Sequence, residues 1–268
     1  MCIRDSFRTG RYEIKKGLNN WKLVEKLRAG DQDQMKLVIR SHRTLEELAG
    51  EVASQVDLDS SSILAKMHDA AFLEGYGMEP RLARNLFIPN TYFVYWTMSE
   101  KELFTKLKGN YDEFWNKDRR AKAKALGLNV HEVVTLASIV QAETYMKDER
   151  PTVAGLYLNR IRQGIPLQAD PTLIYAANDF TIKRVLNRHK EIDSPYNTYM
   201  YRGLPPGPIN NPELSALEAV LNPEKHGYIF MCAKEDFSGH HNFSKTNAQH
   251  ERYAAKYRAA LNKQRVYR

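Results

Sequence analysis

The sequence predicts an α+β fold in which helices outnumber strands. Apolar residues recur at helical spacing in several segments, most clearly over 99–126, 130–145 and 151–163. Short extended apolar runs at 37–39 and 228–233 predict strands between the helices. Two capping boxes, Thr44 with Glu47 and Asn129 with Glu132, mark the starts of two of these helices.

The N-terminal stretch predicts a strand, a helix and a second strand. Residues 12–14 form a short extended run, and the apolar face of 21–27 belongs to a helix that ends at Gly30. The run at 37–39 closes this unit. After the first capping box, residues 58–70 predict another short helix.

The middle of the chain predicts a loop followed by a long helix. Residues 87–92 are aromatic and interrupted by proline, which favours a loop. Residues 99–126 are predicted to be helical throughout. Their apolar stripe is interpreted as core packing rather than a ligand site, and it consists of Phe104, Leu107, Tyr111 and Phe114.

The C-terminal half predicts alternating helices and loops with one hairpin. A proline near the start and a glycine after the end delimit the helix at 151–163. The remaining elements are expected at 212–221 (helix), 228–233 and 241–244 (hairpin strands), and 246–262 (amphipathic helix).

The composition narrows the possible classes of binding partner but does not identify one. The formal net charge of +8 favours an acidic partner, which leaves nucleic acid, anionic lipid and anionic polymer open. The basic run at 119–124 is read as a solvated face, because no nucleic-acid-binding motif accompanies it. Two cysteines, Cys2 and Cys232, form no disulfide framework. Residues 1–6 fit no neighbouring element and are predicted not to be native.

Glu143 is the strongest candidate for chemistry. At 100° per residue it lies within about 20° of Leu136 and about 40° of Ile139, in line with the apolar stripe of its helix. Burial and the negative end of the helix dipole both disfavour its anion and are expected to raise its pKa. Such a carboxyl group stays protonated near neutral pH and can donate a proton to a leaving oxygen.

Six short motifs lie in order between residues 136 and 243. They are Leu136–Thr144 (LASIVQAET), Val153–Arg160 (VAGLYLNR), Leu167–Tyr175 (LQADPTLIY), Tyr196–Tyr199 (YNTY), Gly203–Ile209 (GLPPGPI) and His241–Phe243 (HNF). In sequence and order they resemble the motifs of the YceG-like family of endolytic murein transglycosylases, and residues 10–128 match that family more loosely.

The resemblance implies a truncated LysM-like N-terminal module at 7–40 and a mixed α/β catalytic domain of the YceG-like type at 41–268. It places the family's catalytic glutamate on Glu143. It implies endolytic cleavage between N-acetylmuramic acid and N-acetylglucosamine in nascent peptidoglycan, leaving 1,6-anhydro ends. It also implies a membrane anchor beyond this chain, a catalytic domain on the outer, periplasmic face of the cytoplasmic membrane, and peptidoglycan synthases as partners.

The motifs also supply candidate substrate-binding residues. Most have polar or aromatic side chains suited to sugars, and Pro206 belongs to a rigid loop that could form a wall of the site. Two have competing interpretations: Asp170 as a helix N-cap before Pro171, and Tyr175 as a core residue. The candidates are Gln168, Asp170, Tyr175, Tyr196, Asn197, Tyr199, Pro206, Asn211, His241 and Phe243.

One departure from the family bears on mechanism. Many members carry a second glutamate two positions before the catalytic one, where this chain has Gln141. About 160° of helix rotation separates it from Glu143, so Gln141 is expected to lie outside the site. Two rivals stay open: a muramidase-type hydrolase using Asp170 or Asp193 as a second carboxylate, and a non-catalytic peptidoglycan-binding protein.

No cofactor, metal or nucleic acid is expected. The segment at 131–135 begins like a zinc-binding His-Glu-x-x-His motif, but its fifth residue is Thr135. The sequence has no Cys-x-x-Cys pair and no glycine-rich phosphate loop.

Overall fold

The structure is a computed structural model, and it describes residues 7–263. Residues 1–6, predicted not to be native, lie outside the described residues. The chain divides into two compact units, one ending at Glu113 and the other beginning at Phe114. Its helices and short two-stranded sheets confirm the α+β class predicted from sequence.

The N-terminal unit combines short helices with one two-stranded antiparallel sheet. Strand β1 pairs with β2 so that Met35 lies opposite Val94 and Ile39 opposite Asn90. Its elements are α1 Asn20–Ala29, β1 Met35–Ile39, α2 Leu45–Ala53, α3 Ser60–His68, α4 Ala70–Glu74, a 3-10 helix Pro80–Leu86, β2 Asn90–Val94 and most of α5 Glu100–Phe114.

Local sequence signals fix several boundaries in this unit. Gly30 ends α1 in the left-handed conformation, with a φ of 71°. The Thr44–Glu47 capping box is formed at the start of α2. The apolar stripe of α5 is buried at Phe104, Leu107 and Tyr111, which confirms its interpretation as core.

Two predictions in this unit were wrong. Residues 12–14 form no strand, and the Glu13 backbone N–H donates instead to the Asp33 carboxylate at 2.7 Å. Part of the predicted loop at 87–92 is strand β2, because pairing with β1 buries Tyr92 and Val94. Local propensity could not reveal a partner about fifty residues earlier in the chain.

The predicted LysM-like fragment at 7–40 is not a separate compact unit. Its strand β1 pairs with β2, which lies outside that range, and the compact unit continues to Glu113. The LysM-like character of the N-terminal region therefore stays a prediction.

The helix predicted over 99–126 is two helices. Helix α5 ends at Phe114 and α6 begins at Lys117. Asn116 caps α6, since its side chain accepts a hydrogen bond from the Arg119 backbone N–H at 3.0 Å. Trp115, which lies between the two helices, is only 1% exposed and packs in the core.

The C-terminal unit is built around α7. All residues from Val133 to Val140 are buried, and helices α8 and α11 pack against it. The predicted Asn129–Glu132 capping box is formed. The elements are α6 Lys117–Ala125, α7 Val130–Glu143, α8 Arg150–Arg162, α9 Asp170–Ala177, α10 Asn187–Lys190, α11 Leu214–Leu221, β3 Phe230–Ala233, β4 His241–Ser244 and α12 Asn247–Lys263.

No single helix in 7–263 is long and apolar enough to cross a membrane. Helices α6 and α7 satisfy the length and composition criteria only as a pair, and they meet at a bend of 76°.

Helix α8 approaches the segment after α11 very closely. A Cβ atom on Gly155 would lie 2.4 Å from the Glu224 carbonyl oxygen. The Asn159 amide donates to the carbonyls of His226 and Tyr228 at 2.8 and 3.0 Å. Only glycine fits at this crossing, which explains the glycine inside an otherwise regular helix.

The predicted C-terminal hairpin is present. Strand β3 begins at Phe230, two residues later than predicted, and β4 occupies the predicted residues 241–244. Ala233 lies opposite His241 and Phe230 opposite Ser244. Helix α12 packs on both strands, so the hairpin is held against the unit from one side.

Candidate active site

A pocket of about 440 Å³ lies in the C-terminal unit beside the end of α7. It brings together five of the predicted site residues: Glu143, Gln168, Asp170, Tyr199 and His241. Residues of strand β3 and the start of α12 also line it. Residues from separate motifs therefore meet at one cavity.

Glu143 is the last residue of α7, and it is partly exposed where it faces the pocket. The Tyr157 hydroxyl donates a hydrogen bond of 2.7 Å to its Oε1. Burial of the carboxyl group raises the pKa of Glu143 to about 7, although this hydrogen bond favours the anion. The negative charge of Asp170 raises the pKa further, while His241 and Arg160 lower it.

This pKa predicts an alkaline limb in the pH profile. Glu143 must be protonated to act as an acid, so kcat/KM is expected to fall as pH rises through about 7. Initial rates measured from about pH 3.5 to about pH 9 check this, with unfolding temperatures recorded at each pH as the control. A limb centred at the ordinary value of 4.5 would contradict it.

Two residues on α8 that sequence reasoning did not select also face Glu143. Tyr157 is 1% exposed, and burial raises its pKa well above the usual value, so its hydroxyl stays a donor. Arg160 is 8% exposed, and burial lowers its pKa. Their three-residue spacing places both on one face of the helix. This spacing was the only feature of the sequence that could have indicated that they act together.

Arg160 ties three segments together beneath the pocket. Its Nε donates to the Ile229 carbonyl at 2.6 Å, and Nη1 donates to the Leu167 carbonyl at 2.7 Å. Longer bonds of 3.2 and 3.3 Å from Nη1 reach the Pro166 carbonyl and the Gln168 side chain. The guanidinium thus holds the loop before α9 against the segment that enters β3.

Gln168, Asp170 and Tyr199 also line the pocket. Gln168 has a positive φ of 53°, a conformation that is uncommon outside glycine. The Tyr199 hydroxyl donates to Asp170 Oδ1 at 2.5 Å, and both side chains line the pocket. Burial and the Asp170 carboxylate raise the pKa of Tyr199, so its hydroxyl stays protonated.

The alternative interpretation of Asp170 as an N-cap was wrong. The N-cap residue of α9 is Ala169, and Asp170 is the first residue of the helix. Thr198 supports this corner: its Oγ1 accepts from the Ala169 backbone N–H at 3.0 Å and lies 2.8 Å from Thr172 Oγ1. The Asp170 carboxylate, which accepts from Tyr199, therefore lines the pocket and does not cap the helix.

Asn197 organises its loop instead of facing the pocket. It is fully buried, and its Nδ2 donates to the carbonyls of Lys190 and Ile192 at 2.9 and 2.8 Å. Its Oδ1 accepts from the backbone N–H of Tyr199 at 3.0 Å. This placement corrects the prediction of direct substrate contact: Asn197 sets the position of Tyr199.

The other predicted contacts lie outside the residues that line this pocket. Tyr175 and Tyr196 pack on each other with ring centroids 4.8 Å apart. Phe243 stacks on Tyr228 at 5.8 Å, and Asn211 is 1% exposed. Pro206 is exposed in its loop.

Ser138 anchors the proline-rich loop to α7. It is fully buried, its Oγ accepts from the Ile209 backbone N–H at 3.0 Å, and its carbonyl accepts from Asn210 Nδ2 at 2.9 Å. The serine in the Leu136–Thr144 motif therefore has a structural role about one and a half helical turns before Glu143.

His241 lines the pocket and is held by a residue that the sequence did not single out. Glu149, 6% exposed, accepts from both the backbone N–H and Nδ1 of His241, at 2.6 and 2.7 Å. Burial opposes the anion of Glu149, but the hydrogen bonds from His241 hold its pKa below the usual value.

Gln141 points away from Glu143, as its helical position predicts. Its Oε1 accepts from the Glu213 backbone N–H at 2.6 Å, at the start of α11. Gln141→Ala is expected to leave kcat/KM within about threefold of wild type and to lower the unfolding free energy by about 1 kcal/mol. Steady-state rates and urea denaturation measure both; a large fall in rate at unchanged stability would place Gln141 in the site.

Within 7–263 no group of three histidine, cysteine, aspartate or glutamate side chains is arranged to hold a metal ion. The predicted absence of a metal stays a prediction, and the chemistry available at the pocket is that of Glu143 and its polar neighbours.

The chain is similar to known proteins over most of its length. The YceG-like family profile matches residues 2–256. An endolytic murein transglycosylase of Bacillus subtilis is 30% identical over 96% of this chain and 74% of its own length. One from Streptococcus pneumoniae is 26% identical over 84% of this chain, which spans about half, 46%, of that relative.

A solved structure resembles the fold. The 2.6 Å crystal structure of a yceG-like protein from Listeria monocytogenes superposes with a TM-score of 0.70 at 31% sequence identity. The superposition covers 90% of this chain and 83% of the other.

Proposed function

The chain belongs to the YceG-like family of lytic murein transglycosylases, and we propose that it cuts nascent glycan strands internally, between N-acetylmuramic acid and N-acetylglucosamine. The observation that carries the proposal is Glu143, a carboxylic acid with a pKa raised to about 7 at the wall of a 440 Å³ pocket. Such a group holds a proton at neutral pH and faces a space suited to sugars.

The proposed reaction uses Glu143 twice. As an acid, it protonates the glycosidic oxygen, and the bond from that oxygen to the anomeric carbon of the muramic acid breaks. As a carboxylate, it then takes the proton from the 6-hydroxyl of the same sugar, whose oxygen bonds to the anomeric carbon. The products are a chain with a free 4-hydroxyl and a chain with a 1,6-anhydro end. No water is consumed, and the attacking group is already part of the substrate.

Tyr157 and Arg160 support both steps. The Tyr157 hydroxyl donates to Oε1 of Glu143 and fixes the carboxyl group in place. Because that oxygen accepts a hydrogen bond, the proton to be transferred is assigned to Oε2. The positive charge of Arg160 favours the carboxylate after transfer.

A muramidase-type hydrolase is the second candidate, and one observation favours it. Asp170 lines the same pocket as Glu143 and raises its pKa through charge, so a second carboxylate is present. A hydrolase requires such a partner to activate water or to attack the sugar. Against this role, Asp170 is held by Tyr199. Asp193 accepts from Tyr201 and is not among the described residues lining the pocket.

The products decide between these two candidates. Digestion of uncrosslinked glycan strands should give multi-sugar fragments with 1,6-anhydro ends, one water lighter than hydrolytic ends in mass spectrometry. Asp170→Asn should change the rate but not the kind of end. Reducing ends from the wild type, together with loss of turnover in Asp170→Asn, would make the protein a hydrolase.

Three further assignments belong to the proposal. We propose that the catalytic domain acts on the outer face of the cytoplasmic membrane, held by an anchor outside this chain and close to peptidoglycan synthases. We also propose that the N-terminal unit provides LysM-like glycan binding. Its pocket of about 290 Å³, lined by Phe93 and Tyr95, supports this because aromatic side chains stack on sugar faces. The family assignment supports the location, where nascent strands are made.

A further inference from the structure

Glu149 is a buried residue whose carboxylate does not cap the helix that follows it. It occupies the N-cap position of α8, yet its side chain makes no capping hydrogen bond. Its two oxygens instead accept from His241: Oε1 from the backbone N–H at 2.6 Å and Oε2 from Nδ1 at 2.7 Å. Because Glu149 accepts hydrogen bonds from both the backbone and the ring of His241, it fixes the position of both groups.

The two hydrogen bonds to Glu149 determine which ring nitrogen of His241 can act as an acceptor in the pocket. Because Glu149 accepts from Nδ1, that nitrogen carries the hydrogen. The neutral ring then has its lone pair on Nε2, which makes no hydrogen bond within residues 7–263. His241 lines the same pocket as Glu143, so its ring is placed beside the space that a substrate would occupy.

Glu149 is also tied to the chain directly after Glu143. The Thr144 hydroxyl donates to Oε2 of Glu149 at 3.1 Å and accepts from the Met146 backbone N–H at 3.1 Å. Thr144 is 2% exposed. Glu149 therefore links the end of α7, which carries Glu143, to the β4 strand, which carries His241.

We propose that Glu149 is a positioning residue that fixes the tautomer of His241, and that Nε2 of His241 accepts a hydrogen bond from a sugar hydroxyl in the pocket. The inference rests on the proposed function, because it takes a glycan strand as the ligand. It adds a hydrogen-bond acceptor, separate from Glu143, that orients the sugar before proton transfer.

A neighbouring pair provides the matched control. His240 and Asp148 precede His241 and Glu149 by one residue each, and His240 Nε2 lies 3.2 Å from Asp148 Oδ2. Their side chains are 32% and 76% exposed, against 17% and 6% for His241 and Glu149. An exposed pair of this kind contributes little to stability and does not reach the pocket.

The tautomer is tested by the two-bond ¹H–¹⁵N spectrum of protein labelled on its eight histidines. His241 should give the pattern of a ring protonated on Nδ1, and the variant His241→Asn identifies its signals. In Glu149→Gln the carbonyl oxygen should keep the bond from the His241 backbone. The new NH₂ group then faces Nδ1, and the ring should change to the Nε2–H form. An Nε2–H ring in the wild type would overturn the assignment.

The functional role is tested by kinetics on uncrosslinked glycan strands. Glu149→Gln and His241→Asn should each lower kcat/KM on the order of 100-fold, while Asp148→Asn stays within about twofold of wild type. His241→Asn is the safer variant for folding, since its amide nitrogen replaces Nδ1 and keeps the Glu149 contact while removing Nε2. Wild-type kcat/KM in folded His241→Asn would overturn the role of Nε2.

Binding separates this inference from the proposed function. In a Glu143→Gln background, titration with purified glycan fragments should show affinity about tenfold weaker when His241→Asn is added. If Glu143→Gln binds glycan and adding His241→Asn does not weaken the binding, the role of His241 Nε2 is wrong but the proposed function still stands. If the wild type neither binds nor cleaves glycan, the proposed function fails, and the assignment of a sugar to Nε2 fails with it.

Discussion

Glu143→Gln is expected to lower the rate of glycan cleavage by at least about a thousandfold while leaving the fold intact. Glutamine has nearly the same shape and can still accept the hydrogen bond from Tyr157. It has no proton to transfer and cannot take one back, so both proposed steps fail. Mass spectrometry of digested strands measures turnover, and circular dichroism confirms the fold.

The stability of this variant supplies the control. The folded-state pKa of about 7 lies above the ordinary value of 4.5, so the protonated carboxyl favours folding. That contribution is complete below pH 4.5 and is lost as pH rises through about 7. Glutamine does not ionise, so Glu143→Gln should be at least as stable as wild type near pH 8. A folded variant that retains more than a few per cent of wild-type turnover would refute the role of Glu143.

The second large effect is expected at Arg160. Arg160→Met should lower the free energy of unfolding by at least about 3 kcal/mol, because the buried carbonyl of Leu167 and the partly buried carbonyl of Ile229 lose their donor. Methionine fills similar volume, so the loss measures hydrogen bonding rather than a cavity. Urea denaturation followed by circular dichroism gives the value.

Arg162→Met is the matched control on the same helix. Arg162 is exposed in the last turn of α8, so its replacement should change the unfolding free energy by no more than about 0.5 kcal/mol. Equal stabilities for the two variants would show that the contacts of Arg160 do not hold the pocket wall. If Arg160→Met remains folded, cleavage should still fall, because the wall carrying Gln168 and Asp170 moves.

Most of the helices were predictable because their signals are local. The capping boxes at Thr44 and Asn129 and the left-handed Gly30 mark ends that depend on a few neighbouring residues. The hairpin strands were located to within two residues for the same reason. The errors occurred at β2 and at the break at Trp115, where distant packing overrides local propensity.

The sequence by itself determined that Glu143 ends an apolar helix face, and its motifs indicated the family. Only the tertiary structure decided which groups surround it. In the sequence, nothing marks Tyr157, Arg160 or Glu149 as neighbours of Glu143, and Asn197 looks like a sugar ligand until its burial is seen. The physical reason is that hydrogen bonding and desolvation depend on distance in space. The Glu149–His241 pair joins residues far apart in the chain, so no local pattern predicts that these two groups meet.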